Sequence, residues 1–241
     1  MSNVSVQSVV YQIDGQSYES RLAFTEGAKA VPGLVMAPNW MGVSQDAEQI
    51  AREVAAKGYV VLLVDLYGQN VRPEDGNEAA AAMMPLKNDR QLLNKRMQAA
   101  LEQLTGQSIA AVDTDRLAAF GFCFGGCCAL ELARTGAPLK AAVSFHGTLD
   151  TTNPDGAKNI QGKVLVLHGA SDPLVPKAQL PAFEAEMDAA DVDWQLLSYG
   201  GAFHSFTDVH ANNPGKQMYN PTVSRRAFTA MHDLLDEVFV E

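Results

Sequence analysis

The run Gly121-Phe122-Cys123-Phe124-Gly125-Gly126 decides the reading of this chain. An apolar stretch, Leu117-Ala118-Ala119-Phe120, precedes it, and a helix-forming stretch, Ala129-Leu130-Glu131-Leu132-Ala133, follows it. Strand, tight turn and helix in that order form a nucleophile elbow, here with cysteine where serine is more usual. Glycines two before and two after the nucleophile suit a strained turn whose flanks approach too closely for side chains. A thiol held there projects above the sheet, and the N-terminus of the following helix stabilises its thiolate. The same run also fits a plain glycine-rich strand-to-helix turn around a buried cysteine.

The segments around the elbow give the architecture. Val4 to Asp14 and Tyr18 to Phe24 read as paired strands about the turn Asp14-Gly15. Gly33 to Ala37 is a short buried strand ended by Pro38, and Gln45 to Lys57 is a helix stopped by Gly58. Tyr59 to Val64 is a continuous apolar run, the pattern of a parallel strand buried on both faces. Asn77 to Leu104 is helical in composition with a break expected near Pro85. Arg116 to Gly121, Ala141 to Phe145, Val164 to Leu167 and Trp194 to Tyr199 are further strands. Lys177 to Ala189 and Thr222 to Val238 are helices, the second amphipathic. Strands alternating with helices predict an α/β fold, with a mostly parallel central sheet and helices on both faces. No repeat, linker or compositional break interrupts residues 1–241, so a single domain is expected.

Composition narrows the partners. The 241 residues are 47% hydrophobic, enough for a sizeable core, and carry a net charge of −10. That balance argues against nucleic acid and anionic membranes, which need clustered Lys and Arg. No apolar run approaches the ~20 residues of a membrane span. Met1-Ser2-Asn3-Val4-Ser5 lacks the basic and apolar regions of a signal peptide. Cys123, Cys127 and Cys128 are an odd, clustered set rather than a disulfide framework. A cytoplasmic protein, monomeric or a small homo-oligomer, is the expectation.

A nucleophilic cysteine needs a base, and the base needs an orienting acid. In open α/β sheets such groups lie just past the carboxyl ends of strands. His146, His168, His204 and His232 follow Cys123. His232 falls inside the terminal helix and reads as a surface residue. His146 and His168 each end a strand before a glycine and are candidates for the site mouth. His204, in Gly200-Gly201-Ala202-Phe203-His204-Ser205-Phe206, follows the last strand, where this fold delivers its base. Asp172, in Gly169-Ala170-Ser171-Asp172-Pro173, is the candidate acid, although a turn aspartate before proline has the same appearance. Cys123, Asp172 and His204 stand in the chain order of α/β-hydrolases, each beyond a strand end.

The chain resembles the dienelactone hydrolase family, an α/β-hydrolase branch with a Cys-Asp-His triad, and at 241 residues it is short for that fold and expected to leave no room for a large cap domain. The likeness rests on Asp65-Leu66-Tyr67, the Gly121 to Gly126 elbow, His168-Gly169-Ala170-Ser171-Asp172-Pro173 and His204-Ser205-Phe206. It runs nearly the whole length. The resemblance implies Cys123 as nucleophile, His204 as base and Asp172 as its orienter, with the backbone N–H groups of Phe124 and Trp40 as the oxyanion hole. It implies hydrolysis of small esters or lactones through an acyl-enzyme, with no cofactor and no metal. Asn39, Tyr67, Arg90 and His146 are the candidate substrate-binding residues, and Gly68 to Asn88 is the one segment long enough to cover a site for a small or slender substrate.

Two positions depart from the family pattern. Asn39 stands where the family usually has a glutamate that contacts the resting thiol, so Cys123 and His204 are expected to rest as a thiolate–imidazolium pair. Asp208 stands four residues after His204, where dienelactone hydrolases proper carry an arginine for the substrate carboxylate. Arg72, Lys87 and Arg90 lie near the position of a second such arginine without matching it. These departures leave room for a broad carboxylesterase or thioesterase acting on activated acyl compounds. The rivals outside that class are a non-catalytic ligand binder and a redox or metal module built on the three cysteines.

Overall fold

In the computed structural model, which describes residues 3–240, the chain alternates strands and helices nearly as its sequence predicts. By its own contacts it divides into two compact units, 1–119 and 120–241, and the division falls inside one strand. Met1, Ser2 and Glu241, and with them the start of the stretch read for a signal peptide, lie outside the described residues.

In the first unit, β1 (Val4–Ile13) and β2 (Gln16–Thr25) pair antiparallel, Ile13 opposite Gln16. Asp14 and Gly15 close that hairpin with φ 50° and 78°, the doubly left-handed turn that matches the twist of the flanking strands. Antiparallel to β2 runs β4 (Val60–Leu63), which is parallel to β3 (Val31–Ala37). The strand order is β1-β2-β4-β3-β5, with β5 spanning Val112–Phe122. Two helices cover these strands. Helix α1 (Gln45–Ala55) starts where the Ser44 hydroxyl accepts the Ala47 N–H, and packs on β2 and β4. Helix α3 (Arg90–Gly106) packs on β1 and β3.

The expected break near Pro85 falls four residues later. Helix α2 (Gly76–Asn88) carries Pro85 within it. Proline removes one N–H from the ladder but does not by itself end the helix. The end comes at Asp89, whose extended backbone (φ −122°, ψ 91°) stops α2 and whose carboxylate accepts the Leu92 N–H to start α3.

In the second unit the order continues β5-β6-β7-β8, with β6 (Ala141–Phe145), β7 (Lys163–Gly169) and β8 (Trp194–Tyr199) all parallel. Helices α4 (Phe124–Arg134) and α6 (Pro221–Val240) pack on β6. Phe122, Phe145 and Phe228 form a ring cluster, with Phe145 and Phe228 5.0 Å apart at their centroids. Helix α5 (Gln179–Ala189) buries Phe183 and Met187 against Leu130, Val164 and Val166. The far end of α4 is anchored by a buried ion network: Arg134 reaches Glu186 at 2.7 Å and Glu131 at 3.0 Å. A 3-10 turn (Pro154–Asn159) and two short strands, β9 (Asn212–Asn213) and β10 (Gln217–Met218), carry no periodic pattern in the sequence. Among the described residues no helix is long and apolar enough to cross a membrane.

The start of α4 presses against the end of β6. A Cβ on Gly126 would stand 2.5 Å from Ser144 Oγ, and one on Gly147 would stand 3.0 Å from the Cys123 carbonyl oxygen. Gly126→Ala is therefore expected to lower stability by about 1–3 kcal/mol, the usual cost of overpacking. Urea denaturation measures it. Ser144→Ala in the same chain should recover part of the loss, and a Gly126→Ala protein as stable as wild type would disprove the close approach.

Candidate active site

Cys123 joins β5 to α4 at φ 55° and ψ −118°, a region that costs a non-glycine residue about 1–3 kcal/mol. Two backbone bonds hold it there. Its N–H donates to the Phe145 carbonyl at 2.9 Å, and its own carbonyl accepts the Gly126 N–H at 3.0 Å. The residue is half-buried, while Cys127 and Cys128 are buried in α4, and none of the three is in a disulfide. The first N–H groups of a helix have no partner within it, and the Phe124 N–H bonds to none of the described residues. An unpaired donor directly after the thiol is positioned to receive a negative charge.

Asp172 lies in the turn that follows β7. Its N–H donates to the Gly169 carbonyl at 2.9 Å and its Oδ1 accepts the Leu174 N–H at 2.8 Å. Oδ2 remains for His204, whose Nδ1 lies 2.7 Å away. The turn that carries Asp172 and the loop that carries His204 are bound together through Ser171 N–H to Ala202 C=O at 2.9 Å. Gly169 permits this approach, since a Cβ there would meet the Ala202 carbonyl oxygen at 2.7 Å. On its other side the His204 carbonyl accepts the Met218 N–H at 3.0 Å, so the small β9–β10 hairpin backs the loop.

Both residues are buried, which sets the electrostatics. Burial alone pulls His204 toward the neutral form, but the Asp172 hydrogen bond and the Cys123 sulfur outweigh it and push its pKa up to about 10. Nε2 of His204 is buried and makes no hydrogen bond of ordinary geometry among the described residues, so the sulfur acts on it at longer range. His146 has no carboxylate, and burial followed by the nearby His204 charge drives its pKa well below the ordinary value. His168 is lowered too, by burial first, with Asp172 opposing and His204 adding.

The match to the dienelactone hydrolase family model covers residues 19–239. The chain belongs to the dienelactone hydrolase family. It is a hydrolase of ester or lactone bonds with an α/β-hydrolase fold. A solved structure titled m3DLH superposes with a TM-score of 0.92 at 40% identity over 98% of each chain. A dienelactone hydrolase-like promiscuous phosphotriesterase from metagenomic libraries gives 0.90 at 37% identity, also over 98% of each chain. A Bradyrhizobium protein named as a probable 2-oxo-3-(5-oxofuran-2-ylidene)propanoate lactonase is 31% identical over 227 residues, covering 89% of this dienelactone hydrolase-family chain and 88% of that protein.

Several candidates from the sequence sit differently from their expected places. His146 is only 2% exposed; it lies beneath His204 rather than at an open mouth, with its Nε2 2.8 Å from Thr207 Oγ1. Thr207 itself, three residues past His204, carried no signal in the sequence beyond its place in that loop. His210, which the sequence reading passes over, is exposed in the loop beyond Asp208. His232 is half-buried on α6.

In the first unit, Tyr67 is 5% exposed, and its hydroxyl donates to the Trp40 carbonyl at 2.9 Å. Asn39 Oδ1 accepts the Met41 N–H at 2.9 Å, and the Asn39 carbonyl accepts the Gly42 N–H at 3.0 Å. Both side chains thus hold the turn 39–42 in shape, and the Trp40 N–H has no partner among the described residues. Arg90 is buried at the first residue of α3. Arg72 is committed to the buried Asp65 at 3.2 Å, and Asp208 Oδ1 accepts the His210 N–H at 2.9 Å.

The raised His204 pKa has a measurable consequence. Folding favours its protonated form, so its contribution to stability is complete below about pH 6.5 and fades as pH climbs toward about 10. An imidazole NMR titration should place the His204 midpoint near 10 in wild type. Cys123→Ala and Asp172→Asn should each lower it, because each removes one of the two upward influences. A midpoint that stays put in both variants would refute this account of the shift.

Proposed function

We propose that this protein hydrolyses small esters or lactones through an acyl-enzyme on Cys123, with His204 as acid and base and Asp172 as its orienting partner. The observation that carries the reading is the 2.7 Å Asp172–His204 bond beside a thiol held on a left-handed turn at a helix N-terminus. The Cys123 thiolate attacks the carbonyl carbon, forming a C–S bond as the carbonyl electron pair moves to oxygen. The Phe124 N–H receives that oxyanion, and a donor of this kind lowers such a barrier by about 3–4 kcal/mol. When the carbonyl reforms, the C–O bond to the leaving group breaks and His204 Nε2 gives it a proton. Neutral His204 then takes a proton from water, whose oxygen attacks the thioester. The C–S bond breaks, the acid departs, and the thiolate–imidazolium pair is restored. No step calls for a metal or organic cofactor.

The whole chain acts as one catalytic domain in this reading, since β5 runs unbroken from one unit into the other. The absence of a disulfide among three neighbouring cysteines suits the cytoplasm. A thioester must still be hydrolysed, so activated esters and lactones of short chain are the favoured substrates. Asp208 in place of an arginine favours uncharged ones. The same feature supports a second reading, hydrolysis of neutral phosphotriesters, the activity named for the 37% identical structure.

A panel of short and long p-nitrophenyl esters, lactones including dienelactone, an anionic hemiester and a neutral phosphotriester tests these readings with wild type and Cys123→Ala. Short neutral esters and lactones should turn over fastest. Cys123→Ala should lose at least about 10³-fold in kcat, the scale seen when a nucleophile is removed. Undiminished hydrolysis by Cys123→Ala would falsify the cysteine mechanism, and a preference for long acyl chains or for the hemiester would overturn the substrate class.

A further inference from the structure

Phe145 and His146 together bond to the elements that carry Cys123, Asp172 and His204. The His146 N–H donates to the Leu167 carbonyl of β7, the strand that leads into the Asp172 turn, at 2.8 Å. The carbonyl just before it, on Phe145, takes the Cys123 N–H at 2.9 Å. Its imidazole Nε2 meets Thr207 Oγ1 at 2.8 Å, on the loop that carries His204. The ring stands edge-on to His204 with centroids 5.1 Å apart, and to Phe206 at 4.9 Å. The backbone that makes this possible is left-handed, φ 41°, a conformation a histidine holds only when its surroundings fix it. A buried polar side chain in a strained conformation, bonded to a second buried hydroxyl, is more than core packing requires. Apolar residues of the same shape would fill the space without the desolvation cost.

We propose that His146, through its hydrogen bond to Thr207, is a positioning residue that holds the His204 imidazole in register with Asp172 and Cys123. The inference rests on the proposed roles of those three residues. His146 touches no reacting atom; it acts by fixing the loop and one side of the His204 ring. It suits that place because it remains neutral, its protonation being opposed by burial and by the His204 charge. The titratable groups facing His204 are Asp172 on the turn after β7, Cys123 on the elbow and His146 just past β6, with His168 of β7 within electrostatic reach. Of these, Asp172 and Cys123 hold the His204 proton, so a loosened ring loses their support.

The test uses His146→Phe, which keeps a ring against His204, and Thr207→Val, which keeps the volume and loses the hydroxyl. Deacylation rates with p-nitrophenyl acetate and the His204 NMR midpoint are read for each single variant, the double variant and Thr207→Ser. Each single variant is expected to slow deacylation about tenfold with KM within about twofold. Each should also lower the His204 midpoint by about one pH unit, a tenfold change in its proton affinity. The double variant should lose no more than either single one, as groups acting as a unit do, and Thr207→Ser should restore both readouts. A packing role alone would lower the melting temperature and leave the midpoint in place; an unmoved midpoint in folded His146→Phe and Thr207→Val, or fully additive losses, overturns the proposal. Should wild type form no Cys123 acyl-enzyme, the mechanism fails separately, and the midpoints still decide whether His146 positions His204.

Discussion

The left-handed backbone of Cys123 is the constraint around which the second unit is arranged. A β-carbon-bearing residue at φ 55° is held there only if its neighbours leave no alternative. The bond from its N–H to Phe145 fixes it to β6, and the bond from Gly126 closes the turn into α4. The contact among Gly126, Gly147 and Ser144 then brings helix and strand closer than any side chain at those glycines would allow. Buried ion pairs at Arg134 hold the other end of the helix. Strain at the thiol is thus opposed by packing along the whole of α4, an arrangement that holds the Cys123 side chain in one place.

The same burial penalty falls on two imidazoles that meet edge-on, with opposite outcomes. His204 and His146 are both shielded from water, and each is penalised for carrying charge. His204 has Asp172 at 2.7 Å and the sulfur of Cys123 to offset that penalty; His146 has a neutral hydroxyl. At neutral pH the proton therefore resides on His204 and not on the ring beside it. A carboxylate and a sulfur placed against one ring and not the other separate their proton affinities.

Much of this was legible in the sequence because it is written in local signals. The elbow combines apolar strand, paired glycines and helix formers within a few residues, and Asp172 and His204 each follow an apolar strand closely. The β1–β2 turn at Asp14-Gly15 and the helix stop at Gly58 are likewise local. What failed to show depends on distant chain. Pro85 reads as a breaker, yet the helix end is decided by the cap at Asp89. Tyr67 and Asn39 read as polar residues near a site, and only the fold shows that their polar atoms serve the turn 39–42. His146 reads as a strand-end histidine, and its burial follows from Phe206 and Thr207, sixty residues on. Short-range signals are enough to mark Cys123, Asp172 and His204 as candidates; the atoms packed around them belong to tertiary structure.

The coupling between Cys123 and His204 gives the proposed mechanism its direction. The sulfur raises the His204 pKa through its charge and its hydrogen-bonding capacity. Acylation removes both, since a thioester sulfur has neither a negative charge nor a comparable lone pair to offer. His204 then keeps only Asp172 against the burial penalty, and its pKa falls. The imidazole is accordingly a proton donor while the sulfur is free and a better base once the sulfur is acylated. Asp172, bound to the opposite nitrogen, holds the ring in one orientation through both halves of the cycle. In the proposed mechanism a fixed ring with a variable partner lets a single histidine act as acid in acylation and base in deacylation without moving.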